Sequence, residues 1–532
     1  MQRMPLAAAG LVIAGAPGAR AQTVPSEGAR FDVRGFGAKG DGTTKDTAAA
    51  QRAIDAAGTG GGCAYFPPGR YLCGTLHLRS HVTVQLENGA TLLAAPERAD
   101  FDADEALGYD PHADKETSDF NHALLRGRDL TDVAIVGPGV IDMARTKRGG
   151  PKPIALKLCR SILIRDLRIE NAPNYNISLL GCDFVDILGV TIRNGYCDGI
   201  DPDSCRQVRI ANCSVESWDD AIVLKSSPAL GYLRATEQVT VTGCILSTTC
   251  NALKLGTESS GGFRDILFQN CSLFSDTARW PGRPADCGVA IETVDGATVE
   301  RVVVSNLTMR DVSAPIFVRI GSRGRAQATP SPGPLREISL GDIVATGTRW
   351  ASAIMGIPGF PVRGLSLRNL RVAANGGGKP EWAARAIPEA VREYPDIDRF
   401  VELPAYGLYC RHAEGLLLDG LNFRHETPEA RPAVVLEDVK EADVRTLIAQ
   451  PPTGPGPVLR LRDAREVFIQ GCRAREGTGT WARLEGSLTG QVHEAANDLA
   501  RAGKPFELEP GMAQTVLTSG QRQAGMSRPS GE

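Results

Sequence analysis

The sequence predicts an all-β protein, a single right-handed parallel β-helix with an N-terminal capping helix. Three observations lead there. First, units repeat: Cys159-Arg-Ser-Ile162-Leu-Ile164-Arg-Asp-Leu167-Arg-Ile169-Glu-Asn171 aligns with Cys182-Asp-Phe-Val185-Asp-Ile187-Leu-Gly-Val190-Thr-Ile192-Arg-Asn194, and Cys205-Arg-Gln-Val208-Arg-Ile210-Ala-Asn212-Cys213 continues the series. Second, each unit alternates apolar and polar residues with period 2, so each offers one apolar face. Units this short cannot bury that face alone and must stack on their neighbours. Third, 59 glycines against 5% aromatics suit a turn-rich β fold. A leucine-rich horseshoe would need a regular Leu pattern, which is absent.

Taken in order, the chain opens with Arg3, an apolar run from Leu6 to Ala16, and small residues at Ala19-Arg20-Ala21. That pattern predicts a signal peptide over 1–21, cleaved after Ala21, and hence a secreted or periplasmic protein. Asp46 is placed to N-cap a helix from Thr47 to Ala57, ended by Gly58, whose small residues suit the end of a stack. The glycines at 58–62 lack the Gly-Lys-Ser/Thr of a phosphate loop. Strands follow at Cys63–Phe66 and His81–Leu86, and 99–121 reads as an acidic loop beside a groove. Later units begin at Val239, Ile266, Val302, Ile338, Leu365, Leu416 and Val467. Their spacing stretches from 23 residues to 31, 27 and 36 where loops are inserted. An interruption from Asn375 to Leu403 carries a possible short helix from Glu381. The β-helix is expected over 22–494. Beyond it, 495–532 is expected to form a C-terminal cap and a disordered tail, with a polar helix near His493–Arg501 and disorder from Met512.

Net charge is −3, which gives no footprint for nucleic acid or an anionic membrane. No stretch after the leader is long enough to span a membrane. Thirteen cysteines cannot all pair within one chain. Cys159, Cys182 and Cys205 recur every 23 residues, and Cys213, Cys244 and Cys271 form a second series. Stacked, reduced, buried columns explain that spacing better than a disulfide framework. No His lies between His122 and His412, so no metal site is expected, and no cofactor. A monomer is expected.

The stretch from Asn194 to Ser227 holds five aspartates: Asp198, Asp201, Asp203, Asp219 and Asp220. Asp198 and Asp219 are 21 residues apart, close to one 23-residue coil, so they should face the same way on neighbouring coils about 4.8 Å apart. Crowded acids can keep one proton among them, and a protonated acid beside an ionised one is what glycoside hydrolysis needs. Turn-capping is the ordinary use of Asp. It suits Asp203 before Ser204 and does not suit the whole cluster. Lys225 either tunes these acids or is an ordinary surface lysine.

The pattern Asp198-Gly-Ile-Asp201 followed by Trp218-Asp219-Asp220-Ala-Ile-Val-Leu-Lys225-Ser226 resembles the polygalacturonase family, glycoside hydrolase family 28. The likeness runs from about Phe31 to Cys472. Phe31-Asp-Val-Arg-Gly-Phe-Gly-Ala-Lys-Gly-Asp41-Gly also resembles the N-terminal signature of the wider pectin-degrading β-helix superfamily. The resemblance implies a pectic or related polysaccharide as substrate. It gives Asp219 the role of general acid, and Asp198 and Asp220 the activation of water with inversion, for which carboxyls about 6.5–9.5 Å apart are expected.

The family's four motifs are only partly kept. Tyr196-Cys197 stand where Asn-Thr precede the first Asp, Cys250-Asn251-Ala252 replace Gly-His-Gly, and Ala290-Ile291-Glu292 replace Arg-Ile-Lys. Asn251 cannot titrate as a His would. Glu292 is expected to repel a uronate, which favours a neutral sugar at that subsite. Expected substrate contacts are Asp201, Lys225, Asn251, Lys254, Glu258, Glu292 and Arg319, with Arg323 and Arg325 as further cations. Two other classes fit the same fold: a polysaccharide lyase and an inactive carbohydrate-binding β-helix.

Overall fold

A computed structural model of the chain describes residues 29–513 and 516–520. The expected leader and its cleavage point lie outside the described residues, as does most of the expected tail. Three parallel sheets run the length of the molecule and wind right-handed around one apolar core. A typical coil places Asp183–Leu188 in the first sheet, Thr191–Gly195 in the second and Ile200–Asp203 in the third. From Phe263–Phe274 to Val362–Ala374 the first two strands of a coil fuse into one long bent strand, as in Val299–Arg310 and Leu335–Thr348, whereas Leu408–Asp419 and Val434–Arg445 each join a third-sheet strand to the next first-sheet strand.

The alternation fixes the register. Ile162 pairs with Val185, Val185 with Val208, Val208 with Val239, Val239 with Ile266, Ile266 with Val302 and Val302 with Ile338. All are buried, so one inward column of β-branched side chains fills the core. The corner between the first two sheets is read off as directly. Asp166, Gly189, Asn212, Gly243, Asn270 and Asn306 occupy it with φ of 63°, 63°, 56°, 67°, 57° and 56°. These are the residue types that tolerate the left-handed region.

The helix Thr47–Gly58 covers the N-terminal end of the stack, burying Ala49, Ala50, Ala53, Ile54 and Ala57. Asp46 stands at its N-cap position, with its backbone carbonyl accepting from the Ala50 N–H at 2.9 Å, but its side chain makes no cap hydrogen bond. Its carboxylate accepts instead from the backbone of Lys39 at 2.7 Å and Gly40 at 3.0 Å, closing the preceding loop. At the other end the repeats continue past Cys472. Gly490–Ala495 and Leu517–Ser519 extend the first sheet, and Lys504–Leu508 extends the third. The helix expected near His493–Arg501 is replaced by that strand and a turn. No helix among the described residues is long and apolar enough to cross a membrane.

All thirteen cysteines are free, and all but the half-buried Cys63 and Cys250 are buried. The two series stand at corners of the coil, where the Cys182 backbone N–H donates to Cys205 Sγ at 3.4 Å.

The third sheet differs from the other two. Its strands Asn251–Ser259, Cys287–Thr293 and Ala314–Ile320 are buried along their whole length. Part of the cover is the segment after Ala374. Its Ile387, Ile397, Phe400 and Leu403 pack on Ala290, Phe317, Ala353 and Tyr409, outside the main core.

Candidate active site

Strands Ile200–Asp203 and Ile222–Ser226 are neighbours in the third sheet, with Ile200 opposite Ile222 and Asp203 opposite Lys225. That register sets Asp198 over Asp220, with Asp219 one residue earlier. The coils approach closely here: a Cβ on Gly199 would lie 2.4 Å from both Ala221 O and Val215 Cγ1. Only glycine fits between Asp198 and Ile200.

The acids converge. Oxygens of Asp198 and Asp219 lie within 4.8 Å of each other and of Cys197 Sγ, and oxygens of Asp219 and Asp220 lie within 4.8 Å of each other and of Cys250 Sγ. Of the three, Asp219 alone is open, with its side chain 28% exposed against 4% for Asp198 and 6% for Asp220.

Each buried acid has its own ammonium. Lys225 Nζ lies 2.8 Å from Asp198 and 2.7 Å from Asp201, and 4.0 Å above the Tyr175 ring. It is 4% exposed, not a solvated surface lysine. Burial opposes its charge, but the two carboxylates outweigh burial and hold the ammonium well above the ordinary lysine range. Burial, and then the neighbouring Asp219 and Asp220, push the Asp198 carboxyl well up despite that lysine. Asp220 goes the other way. Burial would raise it, yet Lys254, whose Nζ is 3.3 Å away, and Asn251 keep it below the usual carboxylate value. Asn251 donates twice to Asp220 Oδ1, from its amide at 2.7 Å and its backbone at 3.1 Å. An amide thus occupies the expected histidine position and keeps its neighbour ionised by hydrogen bonding.

Lys254 also meets Asp396 at 3.6 Å and Glu292 at 3.8 Å. Glu292 is fully buried, and burial, with Asp396 and Asp220, pushes its carboxyl up to about 8. It is therefore a neutral acid at pH 7. The expectation that it meets a uronate as an anion is corrected. Asp396 and Asp286 stand in the same acid-rich neighbourhood. Burial and the surrounding acids raise both, Asp286 to about 7.

Arg319 is not in the cleft. It is 1% exposed, donates to the carbonyls of Gly356, Glu389 and Ala390, and pins the 375–403 segment to the sheet. Glu258 is buried behind Arg325 at 3.0 Å and Arg323 at 3.7 Å. Asp203 ends the strand Ile200–Asp203 and accepts from the Ser227 backbone at 2.8 Å and from its hydroxyl, bracing it to the next coil; burial raises it to about 6. Of the seven residues expected to touch substrate, none is more than 6% exposed. Asp201, Lys225, Asn251 and Lys254 support the acids from below the surface.

Several site residues escaped the sequence reading. Arg148 donates to Asp219 Oδ2 at 2.7 Å and pairs with Glu116, which sits on the expected groove-side loop. Lys152 lies buried near Asp201 and donates to Ser178 at 3.1 Å. Tyr394 and Asp396 arrive from the interruption, with Tyr394 Oη 3.0 Å from Thr257 Oγ1. The two cysteine-containing acid groups have metal-ligand atom types, but Asp198 and Asp220 already receive ammonium countercharges. Those lysines do the work a cation would do.

A family model described as "Glycosyl hydrolases family 28" matches residues 77–391 of the chain, and one described as "Rhamnogalacturonase A/epimerase, pectate lyase-like" matches residues 30–113. A "Probable polygalacturonase" of Vitis vinifera is 29% identical over 371 residues, 63% of this chain and 73% of that protein. An "Exo-poly-alpha-D-galacturonosidase" of Dickeya chrysanthemi is 38% identical over 303 residues, 45% of this chain and 49% of that protein, so the chain spans about half its length. The crystal structure of an exopolygalacturonase from Thermotoga maritima superposes with a TM-score of 0.57 at 22% identity, covering 66% of this chain and 89% of that one. Matched by that model over more than half its length, the chain belongs to glycosyl hydrolases family 28 and is a glycoside hydrolase.

Proposed function

We propose that this enzyme is exported and cleaves a pectic or related polysaccharide, with Asp219 as proton donor to the leaving oxygen. One observation carries this reading: three carboxylates converge, and only Asp219 reaches solvent where a glycosidic oxygen can meet it. Asp220, kept ionised by Lys254 and Asn251, is the base that takes a proton from water, and Asp198, anchored by Lys225, holds that water from the other side. The names of the relatives and the motif match support a pectic substrate.

The expected outcome is inversion. The nearest oxygens are closer than the gap of about 6.5–9.5 Å usual for an inverting pair. Inversion requires the water held by Asp198 and Asp220 to attack the anomeric carbon on the face opposite the oxygen that Asp219 protonates.

The sugar on the Lys254 side is proposed to be neutral. Lys254 is buried and held by the ionised Asp220 at 3.3 Å, with Asp396 and Glu292 also within reach, so it is not free to meet a uronate. A uronate there would meet acids and no free ammonium. Rhamnose or galactose within branched pectin meets this requirement, and plain polygalacturonate should be a poor substrate.

The test is a reducing-end assay across polygalacturonate, rhamnogalacturonan and neutral pectic side chains, with ultraviolet absorbance and anomeric proton NMR read in parallel. New reducing ends of inverted configuration, without an unsaturated chromophore, are expected. The chromophore would establish a lyase instead, and retained configuration would overturn the water-placing roles of Asp198 and Asp220.

A further inference from the structure

The inserted segment 375–403 crosses the third sheet along one column of side chains. Glu292, Arg319, Met355, Arg411 and Glu437 are partners in successive strands, on the same face as Ala290, Phe317, Ala353 and Tyr409. The segment comes down this column toward the acids. Arg411 donates to Ile387 O at 2.5 Å, Arg319 to the carbonyls of Glu389 and Ala390, and the Ser322 backbone to Val391 O at 2.6 Å. At its lower end Tyr394 and Asp396 reach Lys254, the ring centroid 5.9 Å and the carboxylate 3.6 Å from the ammonium.

Between Ile387 and Pro395 no residue is fully buried, so apolar packing fixes this stretch only in part and polar contacts do the rest. Most of those contacts use backbone carbonyls. Glu389 adds a charged one. Its carboxylate takes the Arg411 guanidinium and faces the His412 imidazole, whose Nε2 lies 3.1 Å and 3.2 Å from the two oxygens. His412 is braced from behind, with Nδ1 2.6 Å from Asp438 Oδ2 on the next coil, and Arg411 lies 3.8 Å from Glu437. Both partners are more deeply buried than Glu389 itself. A sheltered carboxylate held by a guanidinium is a stronger tie than a neutral hydrogen bond and is little screened by salt.

We propose that Glu389 is a positioning residue for hydrolysis: clasped by Arg411 and His412, it holds Tyr394 and Asp396 against Lys254, where they form the wall met by the sugar on that side. Tyr394 is 40% exposed and the Asp396 side chain 27%, whereas Lys254, Asn251 and Glu292 are buried. The inserted segment, and not the sheet beneath it, therefore presents the surface there. Glu389 touches no substrate; it acts through the seven residues that separate it from Asp396. The inference rests on the reading of the cleft as a glycan site and extends it to a part of the chain that obeys no repeat.

The test combines amide hydrogen exchange with a mutant cycle on the full chain. In Glu389→Ala, exchange over 390–396 should quicken about tenfold, with exchange in the sheet strands and the melting temperature unaltered. Glu389→Gln keeps an acceptor for both partners and should lie between that variant and the parent. On the best pectic fraction Glu389→Ala should raise KM about threefold or more and leave kcat within about twofold, as loss of a binding wall requires. Tyr394→Ala with Asp396→Ala should raise KM as well, and adding Glu389→Ala to that pair should change it by less than about twofold, because the wall it positions is already gone. Unchanged exchange over 390–396, a fall in kcat at constant KM, or fully additive KM effects overturns the positioning role. Should the unsubstituted enzyme cleave none of the fractions, the substrate reading fails, and exchange over 390–396 alone upholds or overturns the clasp.

Discussion

Glu292→Gln should stabilise this protein, and by an amount that depends on pH. The Glu292 carboxyl is fully buried, its Oε1 has no hydrogen-bond partner, and its pKa is pushed from 4.5 up to about 8. Below pH 4.5 the folded and unfolded chains both bind this proton, and the group contributes no pH dependence. Between 4.5 and about 8 only the folded chain binds it, so stability falls as pH rises; above about 8 the loss is complete. At about 1.4 kcal/mol for each pH unit, keeping this carboxyl neutral at pH 7 costs the fold about 3 kcal/mol. Glutamine has the same shape and is neutral at every pH. Its carbonyl can accept from Thr257 as the carboxyl does. Urea unfolding at pH 4.5, 7 and 8.5 at constant ionic strength should show no gap at the lowest pH, a gap of about 2–3 kcal/mol at pH 7, and a wider one at 8.5. A variant less stable than the parent by the same amount at every pH would refute the reasoning. Glu292 would then be an ionised partner of Lys254.

Two further outcomes follow from the same network and from the columns. Lys225→Met leaves Asp198 and Asp201 buried without their shared cation and should cost about 3–5 kcal/mol in urea unfolding; a loss below about 1 kcal/mol would remove Lys225 from the site's framework. Alkylation of the denatured, unreduced protein followed by mass spectrometry should label all thirteen cysteines, with Cys63 and Cys250 labelling first in the folded state. Intramolecular disulfides among the columns would contradict the free thiols.

The fold was legible because each coil repeats the same demand, an apolar residue facing in at every second position and a left-handed corner between sheets. Val208 pairing with Val239 could be read even across the longer spacing, since both begin the same alternating run. The last coils were missed because their strands are more polar: Lys504–Leu508 is nowhere fully buried, and its neighbour covers it on one side only. Within the site, Asp198 and the pair Asp219 and Asp220 stood out because about one coil of chain separates the first from the other two. Arg148 did not, since it is 71 positions from Asp219 and the intervening loop lengths carry no period. Asp396 and Tyr394 sit on an insertion that obeys no repeat, and only its packing on the third sheet brings them to Lys254. Burial was the other invisible quantity. Glu292 reads as an anion in the sequence and becomes a neutral acid beneath Lys254 and Asp396.

The central claim is that Asp219 supplies the proton to the leaving sugar. The most direct measurement is turnover of the best pectic fraction by Asp219→Asn beside the unsubstituted enzyme, with melting followed on the same samples. An amide cannot donate that proton, so turnover should fall by about 10²–10⁴-fold while the half-exposed position leaves the fold intact. Unsubstituted rates in a folded Asp219→Asn protein would contradict the account.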